Sequence, residues 1–101
     1  ATNRISGAGE GAALLNHILN TASICLSAEM LGMVTEAFGQ TVAYLKEREQ
    51  FGKRIGTYQA LQHRAAIMFS EIELCKSIVI QALQALDSDA NDLDQLASLL
   101  K

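Results

Sequence analysis

The sequence predicts an all-α chain, and three observations support this class. The 101 residues contain no proline, whereas an average protein has about 5 %. The glycines concentrate in the first dozen residues and in a connector near the middle of the chain. Two long stretches, before and after that connector, carry apolar residues at spacings of three and four, which is the period of an α-helix. We therefore expect two long helices and the beginning of a third.

The first helix is predicted over residues 12–46, with apolar residues on more than one face. One row is Leu15, Ile18, Ala22, Leu26, Met30, Met33 and Ala37, and another is Leu31, Val34, Phe38, Val42 and Leu45. A helix that is apolar over so wide an arc is usually enclosed by several neighbours. Gly32 and Gly39 each cost about 1 kcal/mol relative to alanine, so we expect another helix to approach closely there.

The second helix is predicted over residues 58–86, with Thr57 as its N-cap. Its apolar seam repeats in steps of three and four: Tyr58, Leu61, Ala65, Met68, Ile72, Cys75, Val79, Ala82 and Leu86. A further row of Ile67, Leu74 and Ile78 widens this face. Such a seam is typical of a helix that packs against another helix at a shallow angle.

A polar, acidic link follows the second helix, and the start of a third helix is predicted over residues 92–101. Its apolar residues are Leu93, Leu96, Ala97, Leu99 and Leu100. Two helices and the start of a third cannot cover their own apolar faces. We expect either self-association to a dimer or higher oligomer, such as a four-helix dimer, or a chain that is a piece of something longer.

Composition excludes several classes of function. The net charge is −3, so no overall field favours nucleic acid or an anionic membrane. No run approaches the roughly 18 uninterrupted apolar residues of a membrane span, and the N-terminus lacks a signal-peptide pattern. Cys25, Cys75, His17 and His63 match no metal-ligand spacing, so we predict no metal site. The cysteines are expected to be reduced, packed thiols of a soluble cytoplasmic protein.

The connector, residues 47–57 with its flanks, is the candidate site. It reads Tyr44-Leu-Lys-Glu-Arg-Glu-Gln-Phe-Gly-Lys-Arg-Ile-Gly-Thr-Tyr-Gln59. Guanidinium groups, an aromatic plane and the N–H groups of a helix start together suit a planar ligand that bears phosphate. The alternative is a solvated hinge whose basic residues are partly neutralised by Glu47 and Glu49.

The pattern Tyr44-x-x-x-Arg48-x-Gln50-Phe51-Gly52-x-x-Ile55-Gly56-x-x-Gln59 resembles the helix-to-helix hinge of the acyl-CoA dehydrogenases. Residues 9–11, 28–32 and 62–66 are also similar to that family. The resemblance implies a subunit with an N-terminal helical domain, a middle β-domain and a C-terminal four-helix bundle, usually assembled into tetramers. Residues 1–101 would be a partial C-terminal domain of long up-down helices, truncated in the third helix and completed by self-association.

The resemblance also implies an activity. The family uses FAD to oxidise the α,β-carbon bond of an acyl-CoA thioester, with a glutamate as base, and usually passes electrons to an electron-transferring flavoprotein. It implies a cytoplasmic location, or the mitochondrial matrix in a eukaryote.

Individual residues take roles from this resemblance. Arg48 matches the arginine that contacts the FAD pyrophosphate of the neighbouring subunit. Gln50 and Phe51 match residues at the adenosine part, and Tyr58 and Gln59 fall where the family makes further FAD contacts. Lys53 and Arg54 are still interpreted as solvated charges.

The departures from the family pattern concern catalysis. Most members place the catalytic glutamate in a loop beyond the position of Lys101, and a few place it where this chain has Ala22. The next position, an arginine near the substrate in many members, is Ser23. We therefore predict no catalytic residue in this chain. The isolated 101 residues should lack FAD and should not dehydrogenate any acyl-CoA.

Three functional classes remain open from the sequence. The first is the FAD-contacting, subunit-bridging part of an acyl-CoA dehydrogenase. The second is a non-catalytic helical oligomerisation module descended from that family. The third is an RNA or nucleotide binder that uses the basic hinge, against which the net acidity argues.

Overall fold

Helices make up most of the computed structural model, which describes residues 5–88 and 92–100. The helices are α1 (Gly11–Glu47), α2 (Gln59–Asp87) and α3 (Leu93–Leu99). Between α1 and α2 lie two short strands, β1 (Glu49–Gln50) and β2 (Lys53–Arg54), and a 3₁₀ helix over Ile55–Thr57. The predicted all-α class is confirmed, with this two-stranded hairpin as the β structure of the described residues.

The chain divides into two compact units. Among the described residues, the first unit comprises 5–27, 78–88 and 92–100, and the second comprises 28–77. Because α1 and α2 are long, each contributes one part to the first unit and another part to the second. The second unit contains the hairpin.

The core of the first unit forms where α3 packs on α1 and α2. Its buried residues are Ile24, Ala82, Ala85, Leu93, Leu96 and Ala97. Ile24 and Ala97 are fully buried. Small side chains at Ala82, Ala85 and Ala97 leave room for the larger ones between the helices, as close packing requires.

Polar contacts complete the attachment of α3 to α1. Asn16 and Asn20 both donate a hydrogen bond from Nδ2 to Oδ1 of Asp94. The Ser27 hydroxyl donates to the backbone oxygens of Ser23 at 2.8 Å and of Leu100 at 3.4 Å. Asn20 and Ser27 are the buried polar residues among those described. Their burial is tolerated because each side chain has a hydrogen-bond partner.

The buried face of α1 differs from the predicted apolar rows. Its buried residues are Asn20, Ile24 and Ser27, whereas every member of the predicted Leu15-to-Ala37 row is exposed. In the second row Val34 is exposed, and Leu31, Phe38, Val42 and Leu45 are half-buried. The first apolar row is therefore surface that the described helices leave exposed, the second row is partly covered, and the periodicity missed the buried polar residues Asn20 and Ser27.

In α2 the predicted seam follows the covered face more closely. Ile72, Val79 and Ala82 are buried, and Tyr58, Leu61, Ala65 and Leu86 are half-buried, but Met68 and Cys75 are exposed. In the widening row, Ile67 and Leu74 are exposed as well. In the second unit the Phe69 ring lies 6.3 Å from the Phe38 ring, centroid to centroid, so an aromatic pair joins α2 to α1 there.

Two further expectations are corrected by the structure. Apart from the local backbone of α1 itself, no atom of the described chain lies within 4 Å of a Cβ built on Gly32 or Gly39, so no other helix of that part of the chain approaches them. Cys25 and Cys75 are free, but both are exposed rather than packed.

The length and composition of α1 would allow it to cross a membrane, and no other helix in the described ranges has this property. The sequence prediction of no span rested on uninterrupted apolar runs, and polar residues interrupt α1. One such helix is weak evidence for a span, because a helix that is surrounded by other helices has a similar composition.

Candidate functional site

The hinge is an antiparallel β-hairpin with a two-residue turn. Glu49 pairs with Arg54, and Gln50 pairs with Lys53. Phe51 and Gly52 form the turn, with φ of 54° and 78°. Positive φ at both central residues is the signature of a type I′ turn, whose twist matches that of the flanking strands. Glycine adopts this conformation readily, but a phenylalanine there is strained.

Backbone contacts fix the base of the hairpin to the end of α1. The N–H of Arg48 donates to the oxygen of Tyr44 at 2.9 Å, which continues the α1 hydrogen-bond pattern by one residue. The N–H of Ile55 donates to the oxygen of Arg48 at 2.8 Å and extends the hairpin ladder. A Cβ on Gly56 would lie 2.7 Å from the oxygen of Leu45, so the approach of the chain to α1 at this point requires glycine.

The entry into α2 differs from the predicted N-cap. Thr57 lies in the 3₁₀ helix, and its hydroxyl donates to the oxygen of Arg54 at 2.7 Å. The residue directly before Gln59, the first residue of α2, is Tyr58 rather than Thr57. The oxygen of Tyr58 instead accepts from the N–H groups of Leu61 and Gln62. The prediction failed because the 3₁₀ turn moves the helix start one residue along the chain.

Tyr58 contacts both strands of the hairpin. The ammonium nitrogen of Lys53 lies over its ring, 4.2 Å from the centroid. Its hydroxyl donates to the oxygen of Gln50 at 3.5 Å, a long hydrogen bond. Tyr58 is half-buried, and Lys53 is exposed. Within the site, the aromatic ring therefore serves as a cation–π partner of the hairpin.

The structure brings together Gln50, Phe51 and Tyr58, which were predicted to be site residues. Arg48 lies directly before β1, at the base of the hairpin, and Gln59 opens α2. Arg48, Gln50, Phe51 and Gln59 are exposed, and the Phe51 side chain is 90 % exposed.

The charged side chains of the hinge form no ion pairs within the described residues. Over residues 5–88 and 92–100, the single ion pair joins Lys76 to Glu73 on α2. Glu47 and Glu49 therefore form no ion pair with Arg48 or with the other basic residues of the hairpin. The exposed guanidinium group of Arg48 can accept an anionic partner without first breaking a salt bridge.

The sequence did not predict the hairpin itself or the contact between Lys53 and Tyr58. The signal for the turn is weak, because type I′ turns favour Asn-Gly, Asp-Gly or Gly-Gly and this chain has Phe-Gly. Each strand has two residues, which is too short for an alternating apolar pattern.

The comparisons with known proteins identify the family of this chain. The family model described as "Acyl-CoA dehydrogenase, C-terminal domain" matches residues 9–101. The chain belongs to the acyl-CoA dehydrogenase family. The match includes all three helices and the hairpin, so the hinge lies inside the family domain.

Curated relatives support the assignment. The chain is 34 % identical over 87 residues to the short/branched chain specific acyl-CoA dehydrogenase, mitochondrial, of Bos taurus. The aligned region covers 86 % of this chain and 20 % of that protein. It is 41 % identical over 68 residues to acyl-CoA dehydrogenase IpdE2 of Mycobacterium tuberculosis, covering 67 % and 21 %. It is 29 % identical over 89 residues to the caffeyl-CoA reductase-Etf complex subunit CarC of Acetobacterium woodii, covering 88 % and 24 %.

The chain spans about a fifth of the length of these acyl-CoA dehydrogenase relatives. No solved structure matches it.

Proposed function

We propose that this chain is the hinge-bearing part of an FAD-dependent acyl-CoA dehydrogenase, which oxidises the α,β-carbon bond of an acyl-CoA thioester. Within that enzyme, the hairpin contacts FAD and the helices contribute to the subunit interface. The observation that supports this proposal most directly is the exposure of two hairpin side chains that have no partner of their own in the described chain. The hairpin holds an exposed phenyl ring in a strained turn and an exposed arginine that has no ion-pair partner within the described ranges.

The hinge residues fit the chemistry of FAD. The cofactor offers a doubly charged pyrophosphate and a planar adenine. An exposed guanidinium suits the pyrophosphate, because its N–H groups can bind two phosphate oxygens. An exposed aromatic ring offers an apolar surface to the adenosine part. Strained backbone residues cluster at functional sites, and within the described residues no burial of the Phe51 ring offsets the cost of its conformation.

Each residue has a distinct role in this proposal. Arg48 binds the pyrophosphate of the FAD held by a neighbouring subunit. Gln50 and Phe51 contact the adenosine part, and Tyr58 and Gln59 make further contacts at the start of α2. The N-terminal end of α2 adds a favourable dipole for the negative charge. When bound, FAD supplies the hydride acceptor for the reaction.

The chain supplies no general base in this proposal. A base must be a group that can accept the substrate's proton. Ala22, at one family position of the glutamate, has no such group, and the neighbouring Ser23 carries only a hydroxyl. The base and the acyl-CoA pocket belong to other parts of the enzyme, so the 101 residues alone should not dehydrogenate acyl-CoA. Turnover by the purified chain with added FAD would contradict this statement.

The partners follow from the same proposal. The substrate is an acyl-CoA, and the electron acceptor is an electron-transferring flavoprotein. The Acetobacterium woodii relative is named as a subunit of a reductase-Etf complex, which supports a redox partner of this class. The exposed apolar residues of α1, among them Leu15, Ile18 and Leu26 in the first unit and Met30 and Met33 in the second, form the subunit interface.

The test is an FAD titration of the native polypeptide that carries this chain, after its flavin has been removed. Arg48→Met should raise the Kd for FAD by roughly 10- to 100-fold, because a charge-assisted hydrogen bond contributes about 1.5–3 kcal/mol. The Kd of Arg48→Lys should lie between those of wild type and Arg48→Met, because lysine keeps the positive charge but cannot bind two phosphate oxygens with a planar guanidinium. Arg64→Met removes an exposed arginine of α2 and should leave the Kd unchanged.

The alternative, a non-catalytic oligomerisation module, predicts a different result. In that case the wild-type polypeptide would not bind FAD, and Arg48→Met would change nothing. An equal loss of affinity in Arg48→Met and Arg64→Met would also contradict the proposed role, because it would show a general effect of charge.

A further inference from the structure

We propose that Lys53 is a positioning residue of the FAD site. Its ammonium group, which lies over the Tyr58 ring, holds the hairpin against the start of α2 and thereby sets the position of Gln50 and Phe51. This inference rests on the proposed function, because it concerns how the hairpin presents its FAD contacts. It assigns a role to a lysine that the sequence alone marks only as a solvated charge.

The strand register determines which charges can take this role. Lys53 lies directly opposite Gln50, and Arg54 lies opposite Glu49. Residues directly opposite in an antiparallel pair share a face, and neighbours along a strand point to opposite faces. Lys53 and Gln50 therefore share one face of the hairpin, which Tyr58 contacts. Arg54 carries the same charge on the other face.

Tyr58 links the two strands to α2 through different atoms. Its ring receives the ammonium group of Lys53 from β2, at 4.2 Å from the centroid. Its hydroxyl donates to the oxygen of Gln50 in β1, at 3.5 Å. The distance to the ring is well within the roughly 6 Å over which a cation–π interaction acts. One side chain at the start of α2 thus contacts both strands, closely at Lys53 and at a longer distance at Gln50.

The hairpin needs such support because it is very short. Each strand has two residues, and an isolated two-stranded hairpin is marginally stable in water. The turn adds strain at Phe51. Loss of the contact between Lys53 and Tyr58 should therefore increase the fraction of molecules in which the hairpin has detached from α2, and those molecules cannot present Gln50 and Phe51 to FAD.

The variants separate positioning from simple charge. Lys53→Met removes the ammonium and keeps the apolar stem, so the Kd for FAD should rise roughly two- to fivefold, as expected for an exposed cation–π contact. Lys53→Arg keeps a cation over the ring and should bind FAD as wild type does. Arg54→Met removes the same charge from the opposite face and should also bind as wild type does. In a Tyr58→Leu background, Lys53→Met should have no further effect.

A second readout does not depend on FAD. In the native polypeptide without flavin, a protease specific for glutamate should cut after Glu49 in the detached state of the hairpin. When closing is fast relative to cutting, the cleavage rate follows the population of that state. Lys53→Met should raise this rate roughly two- to fivefold, the cost of losing an exposed cation–π contact, and Arg54→Met should not.

The outcomes distinguish the two proposals. If wild type binds FAD but Lys53→Met matches it in affinity and in cleavage rate, the role of Lys53 is overturned and the proposed function stands. An equal effect of Lys53→Met and Arg54→Met would also overturn it, in favour of a general charge effect. If wild type binds no FAD, the proposed function fails, and the role of Lys53 as a residue of the FAD site fails with it. The cleavage rates of Lys53→Met and Arg54→Met then show only whether Lys53 stabilises the packing of the hairpin against α2.

Discussion

Phe51 combines a backbone conformation that phenylalanine disfavours with a side chain that packs on almost nothing. Its φ is 54°, and its side chain is 90 % exposed. A left-handed conformation costs an L-residue about 1–2 kcal/mol, and no burial of the ring offsets this cost within the described chain. A ring in this position is explained by a contact with a partner molecule, which in our proposal is the adenosine part of FAD.

The first prediction separates the stability of the hairpin from its function. Phe51→Asn creates an Asn-Gly turn, the pair that type I′ turns prefer. Hydrogen exchange of the hairpin amides in the flavin-free native polypeptide should slow by roughly fivefold or more, because about 1 kcal/mol of strain is relieved. The Kd for FAD should rise by roughly tenfold, since stacking of a base on an aromatic ring contributes about 1–3 kcal/mol.

Phe51→Leu is the matched control for this pair of measurements. It keeps the apolar character and the backbone strain but loses the aromatic plane, so affinity should fall while exchange stays near the wild-type rate. Faster exchange in Phe51→Asn would show that the ring stabilises the hairpin and would contradict our interpretation of its exposure.

The second prediction concerns Gly56. Gly56→Ala would place Cβ at 2.7 Å from the oxygen of Leu45, and the neighbour is backbone that cannot move away cheaply. Such overpacking costs about 1–3 kcal/mol, so the amides of Ile55 and Tyr58 should exchange faster. Gly39→Ala is the control, because open space surrounds that position and alanine favours the helix by about 1 kcal/mol. Normal exchange in Gly56→Ala would show that the hinge does not lie against α1.

Among the helices, the apolar periodicity of the sequence predicted the covered face of α2 but did not predict the covered face of α1. The seam of α2 could be predicted because Ile72, Val79 and Ala82 are apolar and lie on its covered face. The covered face of α1 could not, because Asn20 and Ser27 are polar and are buried with hydrogen bonds to Asp94 of α3 and to Leu100, the residue after α3. An apolar pattern shows which surface avoids water in the working protein, and it does not show which neighbour covers that surface.

The candidate site was also predicted only in part. The motif located the hinge and named Arg48, Gln50 and Phe51, which lie beside or within the hairpin. It did not predict the positive φ of Phe51 or the contact of Lys53 with Tyr58, because both depend on the strand register. A register of two-residue strands is set by the turn and by the packing against α2, and neither leaves a periodic signal.

The third prediction tests the attachment of α3. Asp94→Ala removes the acceptor of Asn16 and Asn20 and leaves the buried Asn20 amide without it. The cost should be about 1.5–3 kcal/mol, as for a hydrogen bond to a charged group. Hydrogen exchange in α3 should accelerate by roughly 10- to 100-fold as a consequence.

Asp92→Ala is the control for this change. Asp92 precedes α3, is exposed, and makes no side-chain capping bond. It carries the same charge at the same end of the helix, so it reports the effect of the helix dipole alone. Equal acceleration in both variants would show that the carboxylate of Asp94 acts on the dipole and does not anchor α3 to α1.

Along the whole molecule, many large apolar side chains are exposed to water, which indicates that a partner surface packs against them. They include Leu15, Ile18, Met33, Ile67 and Leu74, each at least half exposed. Scattered apolar residues are normal on protein surfaces, but rows of them along a helix mark an interaction surface. We interpret these rows as the surface that packs in the subunit interface.

The fourth prediction follows from this surface. The 101-residue chain expressed alone should be a dimer or a higher oligomer, because a monomer would leave these rows in water. Light scattering coupled to size exclusion measures the mass directly. Leu15→Gln with Met33→Gln should reduce the association, while Glu36→Gln, a change at an exposed polar position, should not. A monodisperse wild-type monomer would contradict the interface assignment.

A structure of the native polypeptide with FAD bound would decide whether the hairpin is part of the FAD site. Our account predicts that the guanidinium of Arg48 lies within hydrogen-bond distance of a pyrophosphate oxygen of the FAD held by a neighbouring subunit. It also predicts that the Phe51 ring contacts the adenosine part of the same cofactor, with Lys53 over Tyr58. FAD bound elsewhere, with the hairpin in solvent, would contradict the account.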